Sequence, residues 1–238
     1  MDWKLFFPGA AQQAPRRKSL YDGFDLSMPS RVAFVDIETT GIRTDDRIVS
    51  LGIICLNTEA LADDRIEASI SHLIFDPGRR SHPKAEEVHG FDDWTLRHQD
   101  KFADHADAVA ELLSRAEQLV AHNASFDVAF INRELEAAGK QRLSMPVYCT
   151  MEATRDRGLV GSASLSNLCG RIGIVRQSDF HGALEDAWIA MQLYLLLHRR
   201  HAYRMPFSSV ENAAIMNFRE PPPRPKGRLP KRKRAAFK

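Results

Sequence analysis

Asp36 and Glu38 stand one residue apart at the end of RVAFVDI (31–37), an apolar and β-branched run. Side chains at i and i+2 leave a strand on one face, so the two carboxylates point the same way. Two acids there repel each other and lose hydration, a cost that a bound cation offsets. An isolated Asp-X-Glu also marks many exposed strand ends, so further groups must converge on the pair before it implies chemistry. Asp127 is a candidate, in the first turn of a helix that follows the short strand QLVAHN (118–123). The helix dipole alone accounts for an acid at that place, but the strand-to-helix junction is also where sites form in α/β sheets. The third group is His181-Gly182-Ala183-Leu184-Glu185-Asp186. Were all six helical, His181 and Asp186 would lie about 140° apart. Gly182 can release His181 from the helix and let it hang over Asp186. Glu185, about 100° round from Asp186, is expected to face away.

In their order and wording, VDIETTG, LVAHNASFD and HGALEDA resemble the DEDDh exonuclease superfamily, with proofreading epsilon subunits of bacterial DNA polymerase III as the nearest likeness. The resemblance runs over residues 31–198 and takes in Val88-His89-Gly90 and SLSNLCGRIGI. It implies a ribonuclease-H-like fold, a mixed β-sheet flanked by helices, and a 3′→5′ phosphodiester hydrolase that releases nucleoside monophosphates. Asp36, Glu38, Asp127 and Asp186 become the four acids, and His181 the histidine. Phosphodiester hydrolysis needs an activated water, charge compensation and a stabilised leaving oxygen, which two divalent ions supply together. Mg²⁺ or Mn²⁺ suit oxygen ligands. By resemblance, Asp36 bridges both ions, Glu38 and Asp186 complete the first site, and Asp127 holds the second largely through water. His181 would accept the water's proton near neutral pH. Thr39, Thr40, Gly41, His89, Asn123 and Phe126 are candidates to contact the terminal nucleotide. Phe126 serves equally as helix core, and Asn123 as a helix cap.

DNA is the favoured substrate from the ETTG and HNASFD wording. A ribonuclease T or oligoribonuclease type of RNA exonuclease shares the same five residues and is the alternative. A catalytically silent nucleic-acid-binding or polymerase-tethering module would be expected to have lost one of the five, and this chain retains them all.

The elements that must position these residues are legible as patterns. RIVSLGIICL (47–56) and IEASISHLIF (66–75) read as strands whose short connections suit antiparallel neighbours. DHADAVAELLSRA (104–116) carries Val109, Leu112 and Leu113 on one helical stripe. SFDVAFINRELEAAG (125–139) reads as a helix capped by Ser125, PVYCT as a short strand, SASLSNLCGRIG as a short helix and residues 183–200 as a long one.

The chain of 238 residues, 44% hydrophobic, suffices for one core with tails. Residues 1–30 read as a loose N-terminal extension without a secretory signal, 31–200 as the exonuclease domain, and 201–218 as a helical or irregular segment. Residues 219–238, proline-rich and basic, are expected to stay disordered. That tail holds nine Lys or Arg and one acid, leaving 24 basic and 30 acidic residues elsewhere. A mildly acidic body thus carries a basic tail, a candidate contact for nucleic acid or for a polymerase or other protein partner. Cys55, Cys149 and Cys169 show no metal-ligand spacing and suit free thiols in a reducing cytoplasm. No apolar run approaches the roughly 20 residues of a membrane helix.

Overall fold

The structure, a computed structural model, describes residues 28–63, 66–158, 161–176, 182–198 and 216–232. The β-branched run forms β1 (Arg31–Thr39), followed by β2 (Ile48–Asn57) and β3 (Glu67–Ile74). Then come α1 (Pro83–His89), α2 (Asp93–Leu96), α3 (Phe102–Ser114), β4 (Gln118–Ala121), α4 (Ala124–Ala137) and β5 (Val147–Cys149). Helices α5 (Thr150–Asp156), α6 (Leu165–Ile172) and α7 (Ala183–Leu197) complete the order. The sheet runs β3-β2-β1-β4-β5, with β1–β2 and β2–β3 antiparallel and β1–β4 and β4–β5 parallel. This is the mixed sheet flanked by helices that the sequence implied.

The period-2 geometry of β1 splits its side chains between two cores. Ala33, Val35 and Ile37 pack with α3 and α4, while Val32 and Phe34 pack with α6 and α7. Asp36 and Glu38 continue the second face to the end of the strand. Helix α7 is buried on nearly every side, with Tyr194 edge-on to Phe34. A helix apolar all round belongs in a core. That is why Glu185 does not face away as expected: it is buried, with Oε2 3.9 Å from Nη1 of Arg176. No helix among the described residues is long and apolar enough to cross a membrane.

Helices α1, α2 and α5 escape the sequence reading, being four to seven residues long, too short to show periodicity. Helix α4 begins at Ala124, so Asn123 rather than Ser125 takes the cap position. Asn123 adopts the left-handed conformation (φ 69°), uncommon for a residue with a side chain, and its side chain makes no capping bond.

Residues 216–232 depart from the expectation of a solvated tail and lie along the body as a strap. Met216 donates its amide to His72 O, and Asn217 brackets the backbone of Ile74. The backbone of Arg219 exchanges hydrogen bonds with the Gln99 side chain, and the Trp94 indole donates to Pro222 O at 2.7 Å. Arg219 pairs with Asp100, Arg224 with Asp92, and Arg232 with both Asp76 and Asp93. Like charges keep a tail extended only while no opposing surface is within reach. Here four aspartates, scattered in sequence, collect on one face around α2. The expected segments at 1–27, 199–215 and 233–238 lie outside the described residues.

Candidate active site

Asp36, Glu38 and Asp186 each offer a carboxylate oxygen, and the three oxygens lie within 4.8 Å of one another. Strand β1 delivers the first two by alternation. Asp186 comes from the first turn of α7, where its amide bonds to Gly182 O. Gly182 is extended and stands outside the helix, as the release of position 181 required. His181 itself lies outside the described residues. Asp127, in the first turn of α4, is 2% exposed and belongs to the same electrostatic group without joining the close trio.

Asp36, Glu38 and Asp127 resist ionisation. Burial, then the charges of Asp127, Asp186 and Glu38, hold the Asp36 carboxyl well above its ordinary range, with Arg176 pulling the other way. Burial and Asp186 push Glu38 up to about 8. Burial also raises Asp127, although its own amide and that of Ile37 pull it back. The cluster therefore wants positive charge, and an all-carboxylate donor set fits a hard divalent ion.

Convergence depends on one close approach. Gly52 pairs with Asp36 across β1 and β2, and a Cβ there would stand 2.5 Å from the backbone of Ala183 and Leu184. The start of α7, and with it Asp186, sits where it does because position 52 has no side chain. Gly52→Ala must push α7 outward, at an overpacking cost of about 1–3 kcal/mol. A 1 Å misplacement at a reacting centre costs about 100-fold, so nuclease turnover should fall on that order while the melting temperature drops only a few degrees. Unchanged turnover in the folded variant would show that this contact does not set Asp186.

The candidate contact residues divide. Thr40 is fully buried, its hydroxyl bonded to Asp46 and Arg47 and its carbonyl to His82, so its polar groups serve the loop. His89 is buried with its ring nitrogens on Ser81 and the Phe91 amide, and burial lowers its pKa to about 4. Both have their polar groups engaged within the protein. Thr39 bonds Gly41 O, and a Cβ on Gly41 would strike Asp46. Asn123 is exposed, and Phe126 is half-buried against Phe130. Three residues escape the sequence reading. Ile42, next to Gly41, is 87% exposed. His122 is buried, bridging Thr150 and Ala163 O, and so ties β4 to the segment before α6. Arg176, a lone arginine in a loop, carries no signature that would have singled it out.

This architecture, a mixed sheet with carboxylates gathered at the end of its central strand, is that of a nuclease. The exonuclease family model matches residues 33–194, and the chain belongs to that family. Over 178 residues it is 31% identical to the DNA polymerase III subunit epsilon of Buchnera aphidicola (from Acyrthosiphon pisum), covering 70% of this chain and 72% of the relative. With the subunit epsilon of Treponema pallidum it shares 30% identity over 189 residues, 77% and 84% of the two chains. Among solved structures, the E. coli ExoI–ssDNA complex in its zinc-bound form superposes with a TM-score of 0.60 at 18% identity, over 70% of this chain and 40% of that one. Exonuclease X in complex with 5′ overhanging duplex DNA gives 0.53 at 22%, over 70% and 89%. These two likenesses establish the fold.

Proposed function

We propose that this exonuclease removes nucleoside monophosphates from the 3′ end of DNA, in the manner of a proofreading or repair enzyme, using two divalent ions, Mg²⁺ or Mn²⁺. The observation that carries the reading is the trio of half-buried Asp36 with buried Glu38 and Asp186, which is electrostatically unfavourable without cations. Asp36, Glu38 and Asp186 would hold one ion and Asp36 and Asp127 the other. The ions would activate water and offset the charge on phosphate and leaving oxygen. His181 would take the proton of the attacking water. The backbone turn at Thr39 and Gly41, the exposed Asn123 and the half-buried Phe126 are left to meet the nucleotide, with the bare side chain of Ile42 as an apolar rest for a base. DNA as substrate rests on the likeness to the epsilon subunits. Free cysteines suit a cytoplasmic setting.

Degradation of single-stranded DNA, a duplex with a mismatched 3′ end, and RNA at one Mg²⁺ concentration tests the substrate. DNA should be consumed faster than RNA, and the mismatched end faster than a paired one. Preference for RNA would move the enzyme to the ribonuclease T or oligoribonuclease type.

The strap's Lys226, Arg228 and Lys231 are exposed, and no ion pair engages them among the described residues. They are the basic residues of the described strap left for nucleic acid or an acidic partner such as a polymerase. Replacing all three with Gln should weaken DNA binding and flatten its salt dependence by about 0.7 per lost phosphate contact. An unchanged salt slope would exclude the nucleic-acid role.

A further inference from the structure

Arg176 follows α6 and stands between it and the start of α7. Its side chain is only 16% exposed, and its guanidinium is directed into the carboxylate cluster. Nη1 touches Asp186 Oδ1 and lies 3.9 Å from Glu185 Oε2. Its charge also reaches Asp36 and Glu38, lowering the proton affinity of both.

A guanidinium has five N–H donors and no acceptor, and it takes carboxylates best through two parallel bonds. An arginine kept only as a counterion for these acids would fork across one carboxylate. Arg176 does not: Nε and Nη2 are buried and have no hydrogen-bond acceptor among the described residues. Buried donors of a permanent cation are rarely left unmet. Two unmet donors side by side, on a guanidinium whose Nη1 touches Asp186, match the fork-like acceptor pattern of a phosphate.

We propose that Arg176 is a phosphate-binding residue of this site, resting on Asp186 before substrate arrives and then giving its Nε and Nη2 hydrogens to the phosphate oxygens at the 3′-terminal linkage. This rests on the exonuclease reading above and adds to it a residue that recognises the anionic group itself. Arginine in place of lysine matters, because only the fork satisfies two oxygens at once.

Binding rather than turnover tests it. Fluorescence anisotropy in Ca²⁺, with cleavage suppressed, gives the affinity for a single-stranded oligonucleotide. A second oligonucleotide carries an uncharged methylphosphonate at its last linkage. Wild-type protein should bind the phosphodiester more tightly, and Arg176→Ala should lose about tenfold or more on it, the scale of a hydrogen bond to a charged group. The same variant should lose little on the methylphosphonate, so that the two changes are coupled. Arg176→Lys, which keeps the charge and the fold, should recover part of the difference. Mn²⁺ binding without DNA, followed by calorimetry, should be as tight or tighter in Arg176→Ala, since a competing cation has left Asp186. Equal losses on both oligonucleotides, or none on either, would overturn the phosphate role. If wild-type protein binds neither Mn²⁺ nor DNA, the exonuclease reading of the site falls, and this inference with it.

Discussion

Asp36→Asn should abolish nuclease activity by several orders of magnitude and, in the same protein, raise the melting temperature measured without metal. The two effects share one cause. Asp36 is surrounded by Glu38, Asp127 and Asp186, and burial with those charges holds its proton affinity high. A carboxyl whose folded pKa is raised binds its proton more tightly folded than unfolded. Its ionisation therefore costs stability as pH rises above the ordinary carboxylate range. Asparagine removes that cost, on the order of a kcal/mol for each unit of raised pKa. For a domain of this size one kcal/mol is worth about 2–4 °C, and the gain should widen as pH rises above the ordinary carboxylate range. Added Mg²⁺ or Mn²⁺ should stabilise the wild type by mass action and the variant far less. A variant that keeps near-wild-type activity, or one that is less stable than wild type without metal, would contradict the assignment of Asp36 to a cation site.

Arg232→Ala should lower the melting temperature by about 5–10 °C, and truncation after Phe218 by more. The Arg232 guanidinium is 14% exposed and reaches Asp76 and Asp93, carboxylates nearly out of solvent. Hydrogen bonds to charged groups contribute about 1.5–3 kcal/mol, and Arg97 remains on Asp93 to limit the loss. Burial raises the Asp93 pKa, but Arg232 and Arg97 outweigh it and hold the carboxyl below its ordinary range. A depressed folded pKa contributes stability above the unfolded value, lost as pH falls through the folded one. The gap between wild type and variant should thus be full at neutral pH and shrink below about pH 4. A melting temperature unchanged at pH 7 would show that the strap does not hold to the body.

What the sequence discloses here follows from the range of the interactions involved. Alternation along β1 puts Asp36 and Glu38 on one face, and that needs only two residues of context. Asp127 and Asp186 are legible as first-turn acids, and their convergence with the pair entered through the likeness of three motifs. The docked strap was hidden because Asp76, Asp92, Asp93 and Asp100 form one surface only after β3, α2 and the turn before α3 are folded together. Proline and basic charge, read locally, argue for solvation. Rotation about the helix axis alone turns Glu185 away from Asp186, but α7 is enclosed by β1, β2, β4, α5 and α6, so Glu185 is buried near Arg176. The left-handed Asn123 and the lone Arg176 leave no periodic trace at all.

An acid cluster that cuts from a free 3′ end with divalent metal is tested by digestion of a 5′-labelled single-stranded DNA with a free or a blocked 3′ end, alongside a closed circular strand. In Mg²⁺ the free-ended DNA should shorten one nucleotide at a time and release nucleoside monophosphates. The blocked and circular strands should survive, and a chelator should stop all loss. Cutting of the circle, or digestion that continues without divalent metal, would contradict the account.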